Sequence, residues 1–121
     1  MKSSNKGIKR ILKAFIYSYD GFMAAFKSEA AFRQDLLVFV LGMIAIIFIP
    51  ASAVEKLLLI SSLFLILLME LTNTAIEFVI DRISEDYHIL SKKAKDIGSL
   101  LVLLSFINAG IIWAVILCSK I

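Results

Sequence analysis

The stretch LLLISSLFLILLMELTNTAIEFVID, residues 57–81, decides the fold. Its first 13 residues, Leu57 to Met69, carry no charge, and then Glu70, Asn73, Glu77 and Asp81 follow at offsets of three, seven and eleven. Those offsets put all four on one face of a single helix, within a run apolar enough to cross a bilayer. A carboxylate deep in such a helix costs roughly 2.5–3.5 kcal/mol on insertion scales. Two of them, two turns apart, mark a functional site.

Outward from this stretch the chain is a series of apolar runs. With 60% hydrophobic residues and a mean hydropathy of +0.92 over 121 residues, it exceeds what a soluble domain of this size carries. The composition predicts an all-α integral membrane protein: one membrane domain, residues 1–121, with three transmembrane helices and an N-terminal amphipathic surface helix. The surface helix is expected over about 5–27 and the spans over about 30–49, 57–80 and 97–118. Pro50 to Lys56 makes a tight turn between the first two spans, and Asp81 to Lys95 reads as a charged loop. The third span carries Ser99, Ser105, Asn108, Gly110 and Ala114, small or polar side chains suited to close helix packing, and Trp113 is expected to anchor at the far interface. Nothing is left over for a soluble nucleotide-binding domain, so any active site must be built at the membrane.

Before the first span, Ile8, Ile11, Leu12, Phe15, Ile16, Tyr19, Phe22, Met23 and Phe26 form a stripe at helical spacing, with Lys9, Arg10, Lys13, Tyr17, Asp20 and Lys27 opposite. That pattern fits a helix lying in the membrane interface, or one packed on a partner protein. Seven basic residues precede Leu36 and four more run from Arg82 to Lys95, against only Lys56 and Lys120 elsewhere. The N-terminus and the second connection are therefore read as cytoplasmic. The basic residues flank apolar spans instead of forming a patch interleaved with aromatics, so the net charge of +3 is a topology signal and not a nucleic-acid footprint. Cys118 is the single cysteine, which rules out an intramolecular disulfide and a cysteine-based metal cluster. The basic start lacks a compact apolar segment of the signal-peptide kind, so the N-terminus is expected to stay on the protein.

This orientation places Glu77 and Asp81 near the cytoplasmic surface and Glu70 roughly 10 Å deeper, with Glu29 on the same side. Glu29 and Glu77 are a candidate Mg²⁺ pair, because hard cations take oxygen ligands; ion pairs with Arg33, Arg82 or Lys95 are the alternative. Glu70 is a candidate proton acceptor for a lipid hydroxyl, since a carboxylate withdrawn from water holds a proton more readily; a neutral acid hydrogen-bonded to Asn73 or Thr74 is the alternative. Lys92, Lys93, Lys95 and Asp96 offer charge for phosphate, while Tyr87 and His88 offer a loop contact to nucleotide. The five glycines are too scattered for a phosphate-binding loop. Two classes remain: a membrane-embedded enzyme using cytosolic metal and nucleotide, and a small proton-coupled carrier with Glu70 as relay. The acids continue to the cytosolic mouth, which favours the enzyme.

Glu-Ala-Ala-Phe-Arg-Gln (29–34), Glu-Leu-Thr-Asn-Thr-Ala-Ile-Glu (70–77), Asp-Arg-Ile-Ser-Glu-Asp-Tyr-His (81–88) and Lys-Lys-Ala-Lys-Asp-Ile-Gly-Ser (92–99) together resemble the prokaryotic diacylglycerol kinase family over almost the whole chain. The resemblance implies a homotrimer in the bacterial cytoplasmic membrane that transfers the γ-phosphoryl group of ATP to diacylglycerol. It implies Glu70 as general base supported by Asn73, and Mg²⁺ on Glu29 and Glu77. It further implies nucleotide contacts at Arg10, Tyr17, Glu29, Glu77, Asp86, Tyr87, His88, Lys95 and Asp96, and lipid contacts at Ala31, Phe32, Arg33, Gln34, Asp35, Glu70 and Trp113. A second branch of the family, from Gram-positive bacteria, phosphorylates undecaprenol with the same catalytic residues. Ala-Ala-Phe-Arg-Gln and Lys-Asp-Ile-Gly-Ser look closer to the diacylglycerol branch, although Phe48 stands where one member carries Trp.

Overall fold

Three short interruptions break the helical pattern, and the chain turns at each. The computed structural model describes residues 6–121 as four helices, α1 (Gly7–Ser28), α2 (Ala30–Phe48), α3 (Ala53–Ile83) and α4 (Ile89–Cys118), with no strand among the described residues. The all-α expectation holds, and α1 covers the predicted surface helix from Gly7 on: Lys6 is extended, and residue 5 lies outside the described residues. Two helices, Ala30–Phe48 and Ile89–Cys118, are long and apolar enough to cross a membrane.

Between α1 and α2 a single residue, Glu29, takes an extended conformation (φ −119°, ψ 108°). The corner is fixed on both sides. Arg33 Nη1 donates to the carbonyls of Phe26 (2.5 Å) and Lys27 (3.4 Å), satisfying groups that the end of α1 would otherwise leave unpaired. Phe22 stacks with Phe26 at 6.0 Å and meets Phe32 edge-on at 5.5 Å, burying Phe32 and Ala25. The polar stripe of α1 is solvated, while Ile8, Ile11, Leu12, Phe15 and Ile16 stay uncovered by protein.

The residue before Pro50 is driven out of the helical region, so α2 stops at Phe48 with Ile49 extended. Ser52 then starts α3 with a capping box: Glu55 N donates to Ser52 Oγ (3.2 Å) and Ser52 N donates to Glu55 Oε1 (2.9 Å). At 31 residues, α3 is about 46 Å long, well over the ~30 Å hydrocarbon core. It packs against both α2 and α4, most extensively against α4.

The charged segment Asp81–Lys95 is not a loop as expected: only residues 84–88 leave the helical conformation. Charges lower hydropathy without breaking helical phase, and here they project on the extensions of α3 and α4. Lys92 pairs with Asp96 one turn on (2.5 Å), and Lys95 reaches across to Asp81 (2.8 Å). The last acid of the stripe, Asp81, is thereby tied to α4.

Trp113 is a second correction. It does not sit out at an interface: half-buried against the cluster of Ile46, Leu59, Leu63 and Ile116, it donates its indole N–H to Ser62 Oγ at 3.0 Å. An indole N–H facing an apolar interior needs an acceptor, and the buried Ser62 hydroxyl supplies one while donating to Leu59 O (2.6 Å). At the same end, Lys120 closes on Glu55 at 2.8 Å, and its ammonium group holds the Glu55 carboxyl down at about 2.

Candidate active site

The acidic stripe of α3 faces α2 at one depth and the α1–α2 corner at another. Glu70 is 5% exposed and Asp35, on α2, is 7% exposed; their carboxyl groups face each other within hydrogen-bonding reach. Asp35 Oδ2 is buried with no hydrogen-bond partner. Asp35 was expected as a lipid contact, and its pairing with Glu70 was not foreseen. The signal was present in the sequence, as a carboxylate one turn inside an apolar helix needs a polar neighbour.

One turn further along α3, the Asn73 amide lies between carboxylates. Its Nδ2 donates to Glu77 Oε1 at 3.4 Å and is within reach of the Glu70 carboxyl. Glu77 in turn meets Glu29 at the α1–α2 corner, close enough for their carboxyl groups to hydrogen-bond. Burial pushes the Glu29 carboxyl above the usual range, and the Glu77 charge pushes it the same way. Two carboxyl groups from separate elements, facing each other, form a donor set fitted to a divalent oxygen-seeking cation. The alternative, ion pairs of Glu29 or Glu77 with Arg33, Arg82 or Lys95, does not form, since Arg33 is occupied by carbonyls and Lys95 by Asp81.

Beyond Glu77 the stripe opens into a cavity of about 430 Å³ at the α3–α4 connection, lined by Asp81, Ser84 to His88, Lys92, Lys95 and Asp96 among others. All of Asp86, Tyr87, His88, Lys95 and Asp96 meet here. His88 also caps α4, its Nδ1 accepting from Leu90 N at 3.1 Å, and Asp86 N is held by Ser84 Oγ at 3.0 Å. Arg10 and Tyr17 are not brought to this cavity: Arg10 lines a separate groove on α1 with Gly7, Ala14 and Phe15, and Tyr17 is exposed. Flanking the stripe, Ser18, Phe22 and Ala25 of α1 and Leu71, Thr74 and Phe78 of α3 border an apolar cavity of about 510 Å³.

The expected lipid contacts divide. Asp35 joins Glu70, Phe32 is buried in the aromatic corner, and Arg33 caps α1, while Ala31 and Gln34 are exposed. Trp113 is remote from this group, since its partner Ser62 lies eight residues before Glu70, about 12 Å along α3.

The site thus sets a buried carboxyl pair next to an apolar cavity, a facing carboxylate pair beside it, and a polar cavity with lysines beyond. With two membrane-length apolar helices in the same chain, that defines a helical membrane protein whose chemistry joins an apolar phase to an aqueous one. Comparison with known proteins agrees. The profile of the prokaryotic diacylglycerol kinase family matches residues 16–117, and the chain belongs to that family. It is 43% identical over 119 residues to a diacylglycerol kinase of Escherichia coli (strain K12), covering 98% of each chain. A diacylglycerol kinase of Pseudomonas aeruginosa is 44% identical over 92% of this chain and 90% of the relative, and one of Haemophilus influenzae is 37% identical over 92% and 94%.

Proposed function

We propose that this chain transfers the γ-phosphoryl group of ATP to the free hydroxyl of diacylglycerol, producing phosphatidic acid and ADP. It does so as a single membrane domain of three spans, α2, the apolar part of α3 and α4, with α1 on the cytoplasmic face of the bacterial inner membrane, assembled as a homotrimer. One observation carries this reading: the stripe from Glu70 to Asp81 runs beside an apolar cavity bordered by Leu71, Thr74 and Phe78 and ends in a polar cavity at Asp81 and Lys95. The acceptor enters from lipid and the donor from water, and the residues between them are acids and an amide.

In this reading Glu70 takes the proton of the lipid hydroxyl as its oxygen forms a bond to the γ-phosphorus, and the bond from that phosphorus to the bridging oxygen of ADP breaks. Asp35 and Asn73 hold the Glu70 carboxyl in place. Glu29 and Glu77 hold Mg²⁺, which when bound neutralises phosphate charge and orients the oxygens. Lys95, with Asp86, Tyr87, His88 and Asp96, positions the nucleotide, so that most of the acceleration comes from placement and charge. Arg10 and Tyr17 reach the nucleotide only if α1 or a neighbouring protomer brings them there.

The test is transfer of label from γ-labelled ATP into extracted lipid, with purified protein in mixed micelles and Mg²⁺. Diacylglycerol should be labelled in preference to undecaprenol when both are offered. Preference for undecaprenol would reassign the acceptor, and absence of transfer to either would overturn the reading.

A further inference from the structure

Four glycines stand inside the helices, at Gly21, Gly42, Gly98 and Gly110, and what surrounds each differs: a Cβ at Gly21 meets nothing within 4 Å. A Cβ built at Gly110 meets nothing within 4 Å, and one built at Gly42 meets only the flexible end of Leu63. At Gly98, which is buried in the α3–α4 contact, a Cβ would collide with Asn73 Oδ1 and stand 3.6 Å from Ile76 Cδ1. Glycine is a poor residue for a helix interior, so its presence here calls for a local reason.

The reason lies in the Asn73 amide. The NH₂ end of the amide faces Glu77, to which it donates at 3.4 Å, and the carbonyl end is turned the other way, onto Gly98 of α4. There Asn73 Oδ1 is buried with no hydrogen-bond donor. The backbone N–H of Gly98 is committed to its own helix, so the oxygen rests against the bare α carbon by shape alone. Any side chain at 98 would force the amide to rotate or withdraw, and either movement takes Nδ2 away from the carboxylates. We infer that Gly98 is a positioning residue: the space it leaves in α4 seats the Asn73 amide between the Glu70 and Glu77 carboxyl groups. This rests on the reading of Glu70 as base and Glu77 as metal ligand.

Gly98→Ala, Asn73→Ala and the double variant test it in a cycle. Gly98→Ala should lower kcat at least tenfold with KM for ATP within twofold, yet change kcat less than twofold when Asn73 is already Ala, because the methyl group then has room. A second readout does not depend on activity. The chain has three asparagines, Asn5, Asn73 and Asn108, so ¹⁵N-asparagine labelling resolves their side-chain amides, and Gly98→Ala should move the Asn73 pair while leaving that of Asn108 in place. Equal losses in both backgrounds, or an unmoved Asn73 signal, would overturn the role of Gly98. Failure of the parent reading has its own signature, full activity in Glu70→Gln, which would overturn both together.

Discussion

Replacing Glu70 by Gln isolates proton transfer from everything else the residue does. Gln matches Glu in volume and keeps a hydrogen-bonding group against Asp35 and Asn73, so the α2–α3 contact around this 5%-exposed side chain survives. What disappears is the ability to accept the hydroxyl proton. A positioned general base contributes about 10²–10⁴-fold, or roughly 2.7–5.5 kcal/mol of barrier at 1.36 kcal/mol per decade. The polar cavity proposed for the nucleotide is lined from Ile80 onward and does not include Glu70, so KM for ATP should stay within about threefold while kcat falls by that factor. The assay is label transfer at saturating ATP and lipid, with helix content measured by circular dichroism to show that the variant is folded. A kcat within about threefold of the parent would refute the assignment of Glu70 as base, and a loss confined to KM would make it a binding residue instead.

Other perturbations probe separate parts of the structure. Glu77→Gln removes one of the two facing carboxylates and should raise the Mg²⁺ concentration for half-maximal activity about tenfold or more, measured by metal titration at fixed ATP; an unchanged midpoint would leave Glu77 a purely structural group. Trp113→Phe deletes the bond to Ser62, and interhelical bonds of this kind in lipid contribute about 0.6 kcal/mol and at most about 1.7 kcal/mol, so unfolding in mixed detergent should shift by that amount with lipid KM unchanged. A large rise in lipid KM would instead restore Trp113 as a substrate contact. The Glu55 carboxyl is depressed from 4.5 to about 2, so its clasp on Lys120 stabilises the fold above the ordinary value and is lost as pH falls toward the depressed one. The protection of the Ser119 and Lys120 amides, taken as their exchange rate relative to the intrinsic rate at each pH, should fall across that window, and Glu55→Gln should leave that protection low and independent of pH.

Hydropathy and spacing made the helices legible, since long uncharged runs and a 3.6-residue stripe are local properties of the chain. The same reliance on hydropathy misplaced the charged segment after Asp81. Lys92, Lys93, Ala94 and Lys95 favour helix, but their charge hides the helix from an apolar count. Within the site, Glu70, Asn73 and Glu77 could be found because they lie on one helix at helical offsets. The partners they meet could not. Asp35 and Gly98 come from α2 and α4, and nothing in the local sequence states which face of those helices turns toward α3. Trp113 failed for a related reason, because a tryptophan near a helix end suits either an interface or an inward acceptor, and only packing identifies Ser62.

The one-residue bend at Glu29 has a mechanical consequence. Arg33 and the Phe22–Phe32 contact pin the last turn of α1 to α2, so any bending of α1 against a lipid surface is taken up by the turns before Phe22, with their uncovered apolar stripe, and not at Glu29. The outer turns of α1 can therefore follow the undulations of a lipid surface while the carboxylate at the bend keeps its place opposite Glu77.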